Sequence, residues 1–201
     1  MNGINVHEIS YRDILGVCAS LVGIASFIIY LVEIFRSHTK PHLFSWILWG
    51  LSLAVLWLIQ FLEKAGPGAW ATMVTALFCL LIAVCAWSRG EKNITRSDWI
   101  SFIIGLGSIF LWYLTKQPLL TVILLSVVDV AGFYPTIRKS FQKPWEEPMS
   151  MYIITIAKYI MALFAMENLV IVNWFYPACI MVSSGVTLGV LGVGRWKKRP
   201  V

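Results

Sequence analysis

The sequence predicts an all-α integral membrane protein with seven transmembrane helices. Its 201 residues are 59% hydrophobic and their mean hydropathy is +0.77, which is too apolar for a water-soluble domain. A spanning helix needs roughly 20 apolar residues, and seven stretches approach that length. These stretches, helices 1 to 7 in chain order, are residues 14–35, 43–62, 69–88, 98–115, 119–137, 149–167 and 169–194. Almost no sequence remains for a soluble domain.

Helix 1 is expected to be retained and not cleaved as a signal peptide. The segment before it, residues 1–12, is short and polar and carries an acidic residue, whereas a signal peptide begins with basic residues. Its apolar run is also longer than a signal peptide requires, and six further apolar runs follow it.

The net charge of +6 is distributed in a way that predicts the orientation and argues against a nucleic-acid partner. With the amino terminus outside, the cytoplasmic basic residues are Arg36, Lys40, Arg89, Lys92, Arg96, Arg138, Lys139, Lys143, Arg195, Lys197, Lys198 and Arg199. Those outside are Arg12, Lys64 and Lys116. Cytoplasmic loops of membrane proteins carry the excess of lysine and arginine. We therefore expect an external amino terminus and a cytoplasmic carboxyl terminus in a plasma or bacterial inner membrane.

The cysteines and histidines do not predict a metal site or a cofactor. The four cysteines lie within apolar stretches, at Cys18, Cys79, Cys85 and Cys179. Because they lack paired spacing, they are expected to be small packing residues. His38 and His42 follow helix 1 without a third ligand, so contact with lipid headgroups is favoured over metal binding.

Two charges lie deep within apolar helices, Asp129 in helix 5 and Lys158 in helix 6. Each would cost roughly 2.5–3.5 kcal/mol on insertion scales if it faced lipid unpaired. They can form a structural ion pair that locks the two helices together. Alternatively, one or both line a polar path through the protein, which is the usual position of charges in membrane helices.

Helix 5 also carries a candidate hinge at Pro135, followed by Thr136, near its cytoplasmic end. Proline removes a backbone donor and fixes φ, so the helix can kink there. Glu33 lies at the corresponding end of helix 1. It is either a carboxylate that reaches the interface and pairs with Arg36 or Lys40, or a gate residue.

Stripes at helical spacing identify further candidates. On helix 2, Trp57 lies too deep to be an interfacial anchor, so it either faces a cavity or packs between helices. On helix 3 the stripe consists of Thr72, Thr75, Cys79, Ala83 and Ala86. Small and hydroxyl residues let membrane helices approach closely, so packing is the favoured interpretation of this stripe.

Helices 6 and 7 carry polar candidates for a substrate site. Thr155 and Lys158 share one face of helix 6, and Tyr159 lies at its edge. Helix 7 aligns Asn173 with Pro177. An amide and a helix-breaking proline on one face are costly unless they meet a cavity, although Asn173 lies towards the outer end.

The chain repeats itself at a shift of 103 to 105 residues. The matching positions include Tyr30 with Phe133, Ile34 with Ile137, Lys40-Pro41 with Lys143-Pro144, and Glu63 with Glu167. We therefore divide the chain into a three-helix repeat (1–97), a connector helix (98–118) and a second repeat (119–201). A single connector lets both repeats insert in the same orientation, which predicts parallel repeats with a substrate site between them.

This arrangement resembles the SWEET and PQ-loop transporter superfamily over nearly the whole chain. Members of that superfamily carry a Pro-Gln pair near the cytoplasmic end of the first helix of each repeat. Here the second repeat has Pro135-Thr136, while the first has Val32-Glu33 and no proline. The resemblance implies hinges at prolines, for which Pro135 and Pro148 fit.

We therefore expect a transporter of a small polar or amphipathic solute, such as a sugar, an amino acid or a vitamin precursor. It would work by alternating access, and the resemblance to lysosomal PQ-loop proteins implies Asp129 as its proton-coupling acid. The alternative is a receptor or accessory binding protein of the same fold. An enzyme is not expected, because the spans lack a catalytic cluster. Membrane lipids and a possible homo-oligomer complete the expected partners.

Overall fold

Residues 9–36, 41, 43–90, 96–142, 144 and 149–197 are described by the computed structural model, and nearly all of them are helical. They form seven α-helices and one short 3-10 helix, with no β-strand among them. The α-helices are α1 (Tyr11–Phe35), α2 (Leu43–Leu62), α3 (Trp70–Arg89), α4 (Arg96–Thr115), α5 (Pro118–Gln142), α6 (Met149–Phe164) and α7 (Ile171–Lys197). The 3-10 helix is Gly66–Ala69. The prediction of an all-α protein is confirmed.

Four helical segments have the length and apolar composition of membrane spans. They are Tyr11–Phe35, Leu43–Leu62, Gly66–Arg89 and Ile171–Lys197. Shorter apolar segments lie at Phe102–Thr115, Pro118–Val130 and Met149–Phe164. Because a helix rises ~1.5 Å per residue, α6 reaches ~24 Å, compared with ~30 Å of hydrocarbon in a typical bilayer. The chain is thus a membrane protein by length and composition, and the count of seven spans stays a prediction.

The distribution of polarity supports this conclusion. Large apolar side chains on the outer faces are exposed, among them Ile14, Leu21, Val84 and Val182. Several polar side chains are buried instead, including Gln60, Lys158, Asn173 and Thr187. Apolar groups need no burial in lipid, whereas a polar group there must find a partner within the protein.

The first helix begins earlier than hydropathy predicted, at Tyr11 and not at residue 14. Ser10 accepts a hydrogen bond from the Arg12 amide at 3.3 Å, and the Ser10 amide donates to Asp13 Oδ2 at 2.9 Å. This reciprocal pair is a capping box, which fixes a helix start from polar residues. An average over apolar residues does not detect it.

The predicted bounds of helices 5, 6 and 7 also differ from those observed. Helix α5 continues through Pro135 to Gln142, five residues beyond the predicted end at 137. Neighbouring helices can maintain a membrane helix through a proline, and the hinge role of Pro135 stays a prediction. Helix α6 ends at Phe164 and α7 runs from Ile171 to Lys197, because residues 165–170 form a non-helical connection between them.

The helices pack in the same order in the two halves of the chain. Helix α3 lies between α1 and α2, and α7 lies between α5 and α6. The halves meet where α1 packs on α6, and α4 contacts both α2 and α5 on the other side. The described helices therefore form a closed ring, with space for a site at its centre.

Candidate functional site

A cavity of about 340 Å³ lies at the centre of this ring. Its walls come from α1, α2, α3, α5, α6 and α7, so both halves of the chain contribute to it. The lining residues are Phe27, Trp46, Trp49, Leu53, Thr75, Cys79, Asp129, Phe133, Met151, Tyr152, Thr155, Lys158, Tyr159, Tyr176 and Ile180. Most of this surface is apolar, and a carboxylate, an ammonium and several hydroxyl groups interrupt it.

Lys158 joins the two halves of the chain at the cavity wall. Its side chain is 8% exposed, and its ammonium group donates a hydrogen bond to Thr75 Oγ1 on α3 at 3.3 Å. The ammonium also lies 4.5 Å from the centre of the Tyr159 ring. A cation this close to an aromatic ring is stabilised by the electron-rich face. The stem of Lys158 passes next to Gly23 of α1.

Asp129 is held within the second half of the chain. Its Oδ2 accepts a hydrogen bond from the Tyr176 hydroxyl of α7 at 2.8 Å. The Tyr176 ring packs edge-on against Tyr159, with 6.3 Å between ring centres. Both tyrosines are nearly fully buried. Asp129 and Lys158 are therefore connected through two tyrosine rings.

The two charges line one cavity but make separate contacts. The carboxylate of Asp129 binds a tyrosine hydroxyl, and the ammonium of Lys158 binds a threonine hydroxyl. A direct ion pair, the structural alternative raised from the sequence, is not formed between them. Buried charges are costly unless they are paired. The arrangement thus leaves both groups able to bind a charged molecule in the cavity.

An aromatic wall faces these charges from the first half of the chain. Trp46 and Trp49 pack edge-on with 5.3 Å between ring centres, and Phe27 lies 6.4 Å from Trp46. Trp46 also packs on Tyr30 at 5.0 Å. Mutual packing of large rings restricts their rotation, so this wall is preorganised to hold a flat or apolar group.

The cavity is closed at one end by the connections between α2 and α3 and between α6 and α7, which we call the plug. The Glu167 amide donates to the Ala65 carbonyl at 2.9 Å, and the Asn168 side chain donates to the Glu63 carbonyl at 3.0 Å. Gly66 adopts φ +67 beside the Glu167 side chain, where a Cβ would clash. Side chains on glycine positions of this kind are disfavoured.

Two buried amides extend the plug into the helices. The Asn173 side chain, 0% exposed, donates to the Glu63 and Asn168 carbonyls at 3.3 and 2.9 Å. The Gln60 side chain donates to the Asn173 carbonyl at 2.9 Å. At the opposite end, the cavity lining reaches Trp46 and Met151, in the first turns of α2 and α6. Among the described residues, the polar closure lies at the plug end of the cavity.

The structure places the six predicted substrate-site residues in three locations: the cavity lining, the plug and a separate pocket. Asp129, Lys158, Tyr159 and Thr155 line the cavity, although the Thr155 hydroxyl donates to the Met151 carbonyl at 2.9 Å. Asn173 belongs to the plug.

Trp57 does not line the central cavity. It packs against Phe61 at 5.9 Å and faces a separate pocket on the plug side.

The hinge and gate candidates lie away from the cavity lining or beyond what can be described. Glu33 is half-buried near the end of α1. Pro135 and Thr136 lie within the helical backbone of α5, and their side chains are outside the described residues. Pro148 is outside the described residues altogether, as are His38 and His42. Their predicted roles stay predictions.

Several lining residues were not identified from the sequence. Thr75 and Cys79 lie in the helix 3 stripe that was interpreted as packing, and the structure shows both at the cavity. Tyr176 is adjacent to Pro177, which the sequence singled out on the same helix. The missing signal was the rotation of each helix about its axis, which sets the stripe that faces the centre. The described residues contain no cluster of side chains suited to a metal ion.

Comparisons with protein-family models, with curated proteins and with solved structures found no match to this chain.

Proposed function

We propose that this protein is a SWEET-like or PQ-loop transporter that moves a small polar or amphipathic solute by alternating access. In this proposal all seven helices span the membrane, α1 to α3 and α5 to α7 are parallel repeats, and α4 is the connector. Proton coupling through Asp129 is part of the proposal.

The observation that carries the proposal is the charged, aromatic cavity between the two halves. Charges within membrane helices commonly mark the pathway of a substrate or ion, and here both deep charges line one cavity. Transporters built from repeats bind their substrate at the interface between the repeats. If Asp129 and Lys158 had a purely structural role, we would expect them to contact each other. Their hydrogen-bond partners are instead the hydroxyl groups of Tyr176 and Thr75.

The helix packing supports the assignment of two repeats. The third helix of each proposed repeat, α3 or α7, lies between the other two. The connections that form the plug are also equivalent, because Glu63 and Glu167 align in the sequence repeat. Contacts between equivalent loops at one end favour a conformation that is closed at the plug and accessible from the other end, as alternating access requires.

Reconstituted vesicles test the proposal with Cys79 as a native reporter in the cavity wall. The other cysteines are replaced by serine, in Cys18→Ser, Cys85→Ser and Cys179→Ser. Uptake of radiolabelled sugars, amino acids and nucleosides is then measured before and after treatment with a bulky thiol reagent. We expect a subset of solutes to enter, and we expect the reagent to block that uptake.

The matched control adds Cys79→Ser, which should make uptake insensitive to the reagent. Saturable binding of a solute without flux would overturn the transporter and favour the alternative, a receptor or accessory binding protein. If uptake is unchanged although the reagent has modified Cys79, the solute pathway does not pass through this cavity.

A further inference from the structure

Lys158 presents unused hydrogen-bonding capacity to the cavity. An ammonium group has three N–H donors, and one of them reaches Thr75 Oγ1 at 3.3 Å. The ring of Tyr159 covers another side of the group without accepting a conventional hydrogen bond. The remaining donors can bind an anionic oxygen, and a carboxylate is the simplest group that brings both charge and acceptors.

Asp129 presents the opposite polarity. A carboxylate has two oxygens that together accept about four hydrogen bonds, and the Tyr176 hydroxyl occupies one position on Oδ2. Asp129 is only partly buried and lines the cavity, so its remaining lone pairs are available to a ligand. An ammonium group on that ligand would satisfy them.

The two charged groups are held apart by Tyr159 and Tyr176. The sequence of contacts runs from the Lys158 ammonium to the Tyr159 ring, from there to the Tyr176 ring, and from the Tyr176 hydroxyl to Asp129. A ligand that satisfies both groups must therefore carry an anionic group and a cationic group on the same molecule.

The rest of the lining suits an apolar body. Trp46, Trp49, Phe27 and Phe133 supply aromatic surface on the other walls. The cavity of about 340 Å³ holds roughly eleven waters at about 30 Å³ each, so a ligand of about ten to fifteen non-hydrogen atoms fits.

We propose that the solute is a small zwitterion. Its carboxylate binds Lys158 and Thr75, its ammonium binds Asp129, and its apolar body packs on the aromatic wall. This inference rests on the proposed function and names its substrate class. A neutral sugar would leave both protein charges unpaired once water is displaced, and a ligand with a single charge would leave one. An unpaired charge in a desolvated site is strongly unfavourable.

Thermal unfolding of the purified full-length protein tests the charge requirement directly. The zwitterions are L-phenylalanine and L-leucine. The analogues with a single charge are phenethylamine and 3-phenylpropionate, and the neutral probe is D-glucose. A ligand that binds the native state raises the melting temperature. We expect at least one zwitterion to raise it. Phenethylamine, 3-phenylpropionate and glucose should need at least tenfold higher concentrations to produce the same increase in melting temperature.

Two substitutions assign the two poles. Lys158→Met should weaken binding of the zwitterion at least tenfold and abolish its preference over phenethylamine. Asp129→Asn should weaken binding to a similar extent and abolish the preference over 3-phenylpropionate. The matched control is Lys116→Met, at an exposed lysine between α4 and α5, which should leave binding unchanged. If either cavity variant fails to fold, Thr75→Val and Tyr176→Phe test the same poles.

The outcomes separate this inference from the proposed function. Failure of every zwitterion to bind, or stronger binding of a neutral or singly charged probe, would overturn the inference that the ligand is a zwitterion. Uptake of another solute into vesicles would still support the proposed transport function. If a zwitterion binds in a way that depends on both Lys158 and Asp129 but does not enter vesicles, the inferred ligand class would stand and the proposed transport function would be refuted.

Discussion

At the scale of single residues, the central feature is that hydroxyl groups accompany the two deep charges. Thr75 accepts from Lys158, and Tyr176 donates to Asp129. Each hydroxyl reduces the free energy of burying its charge without neutralising it. A direct ion pair would fill the same need but would compete with a charged ligand. The carboxyl group of Asp129 and the amino group of Lys158 are therefore not paired with each other in the site.

Tyr176→Phe is expected to destabilise the protein by about 1–2 kcal/mol. The substitution keeps the ring against Tyr159 but removes a hydrogen bond to a carboxylate, and such bonds exceed neutral ones in strength. Denaturant unfolding in detergent measures the loss. Tyr113→Phe, at an exposed tyrosine of α4, serves as the control and should change stability by less than about 0.5 kcal/mol. Equal effects of the two substitutions would contradict the proposed support of Asp129.

The sequence was sufficient to find Asp129 and Lys158, because a charge within an apolar run stands out whatever the fold. It was insufficient to find Thr75, since a hydroxyl in a membrane helix can bond to its own backbone and so needs no cavity. The Thr75 hydroxyl does donate to the Ala71 carbonyl at 2.7 Å while it accepts from Lys158. For Trp57 the depth in the helix could be predicted, but the choice between a cavity position and helix packing could not, because the direction of its ring depends on helix rotation.

At the scale of helices, α2 and α3 approach closely at Gly50. A Cβ at this position would clash with the Leu80 side chain. Gly50→Ala should therefore destabilise the protein by about 1–3 kcal/mol, the usual range for overpacking. Gly107→Ala on α4 is the matched control, because a Cβ there meets nothing within 4 Å. Removing glycine from a helix should stabilise it by about 0.5–1 kcal/mol. Thermal unfolding of both variants gives the comparison, and destabilisation by both would refute the packing explanation.

The plug makes a second prediction at this scale. Asn173→Ala removes one side-chain hydrogen bond to Glu63 in the other half of the chain and one to Asn168 in its own half. A loss of about 1–2 kcal/mol shifts a two-state equilibrium by about fivefold to thirtyfold. We therefore expect Cys79 to react faster, within that range, with an impermeant maleimide supplied from the plug side.

Ser184→Ala provides the control on the same helix. The Ser184 hydroxyl is fully buried and has no hydrogen-bond partner among the described residues. Its removal should leave the labelling rate of Cys79 unchanged. Labelling that Asn173→Ala does not accelerate would mean that the other contacts of the plug, which include the Asn168 and Gln60 side chains, are sufficient to keep it closed.

Helix existence was predictable here and helix ends were not. Hydropathy located all seven helices, because apolar runs of this length have few alternatives. The ends depend on polar groups that such averages ignore, such as Ser10 and Asp13 at the start of α1. The 3-10 helix Gly66–Ala69 was missed for a similar reason, since a glycine with positive φ followed by proline is local turn chemistry.

At the scale of the whole molecule, the orientation in the membrane stays a prediction from charge. A reporter active only in the cytoplasm and fused after Val201 should be active, since the excess of lysine and arginine places the carboxyl terminus on that side. The same reporter inserted after Lys64, in the plug, should be silent. An active reporter in the plug, or a silent one at the carboxyl terminus of a well-expressed fusion, would reverse the orientation.

The bond from Lys158 to Thr75 has a consequence for biogenesis, because α6 carries one partner and α3 the other. The first half of the chain leaves the ribosome before Lys158 is synthesised, and the cavity forms only when the second half has been inserted, because both halves line it. Two separately translated fragments, 1–90 and 96–201, should therefore complement each other when both are expressed in one cell. Each fragment expressed alone would expose the polar residues of its half of the cavity to lipid, and we expect it to be degraded by membrane quality control.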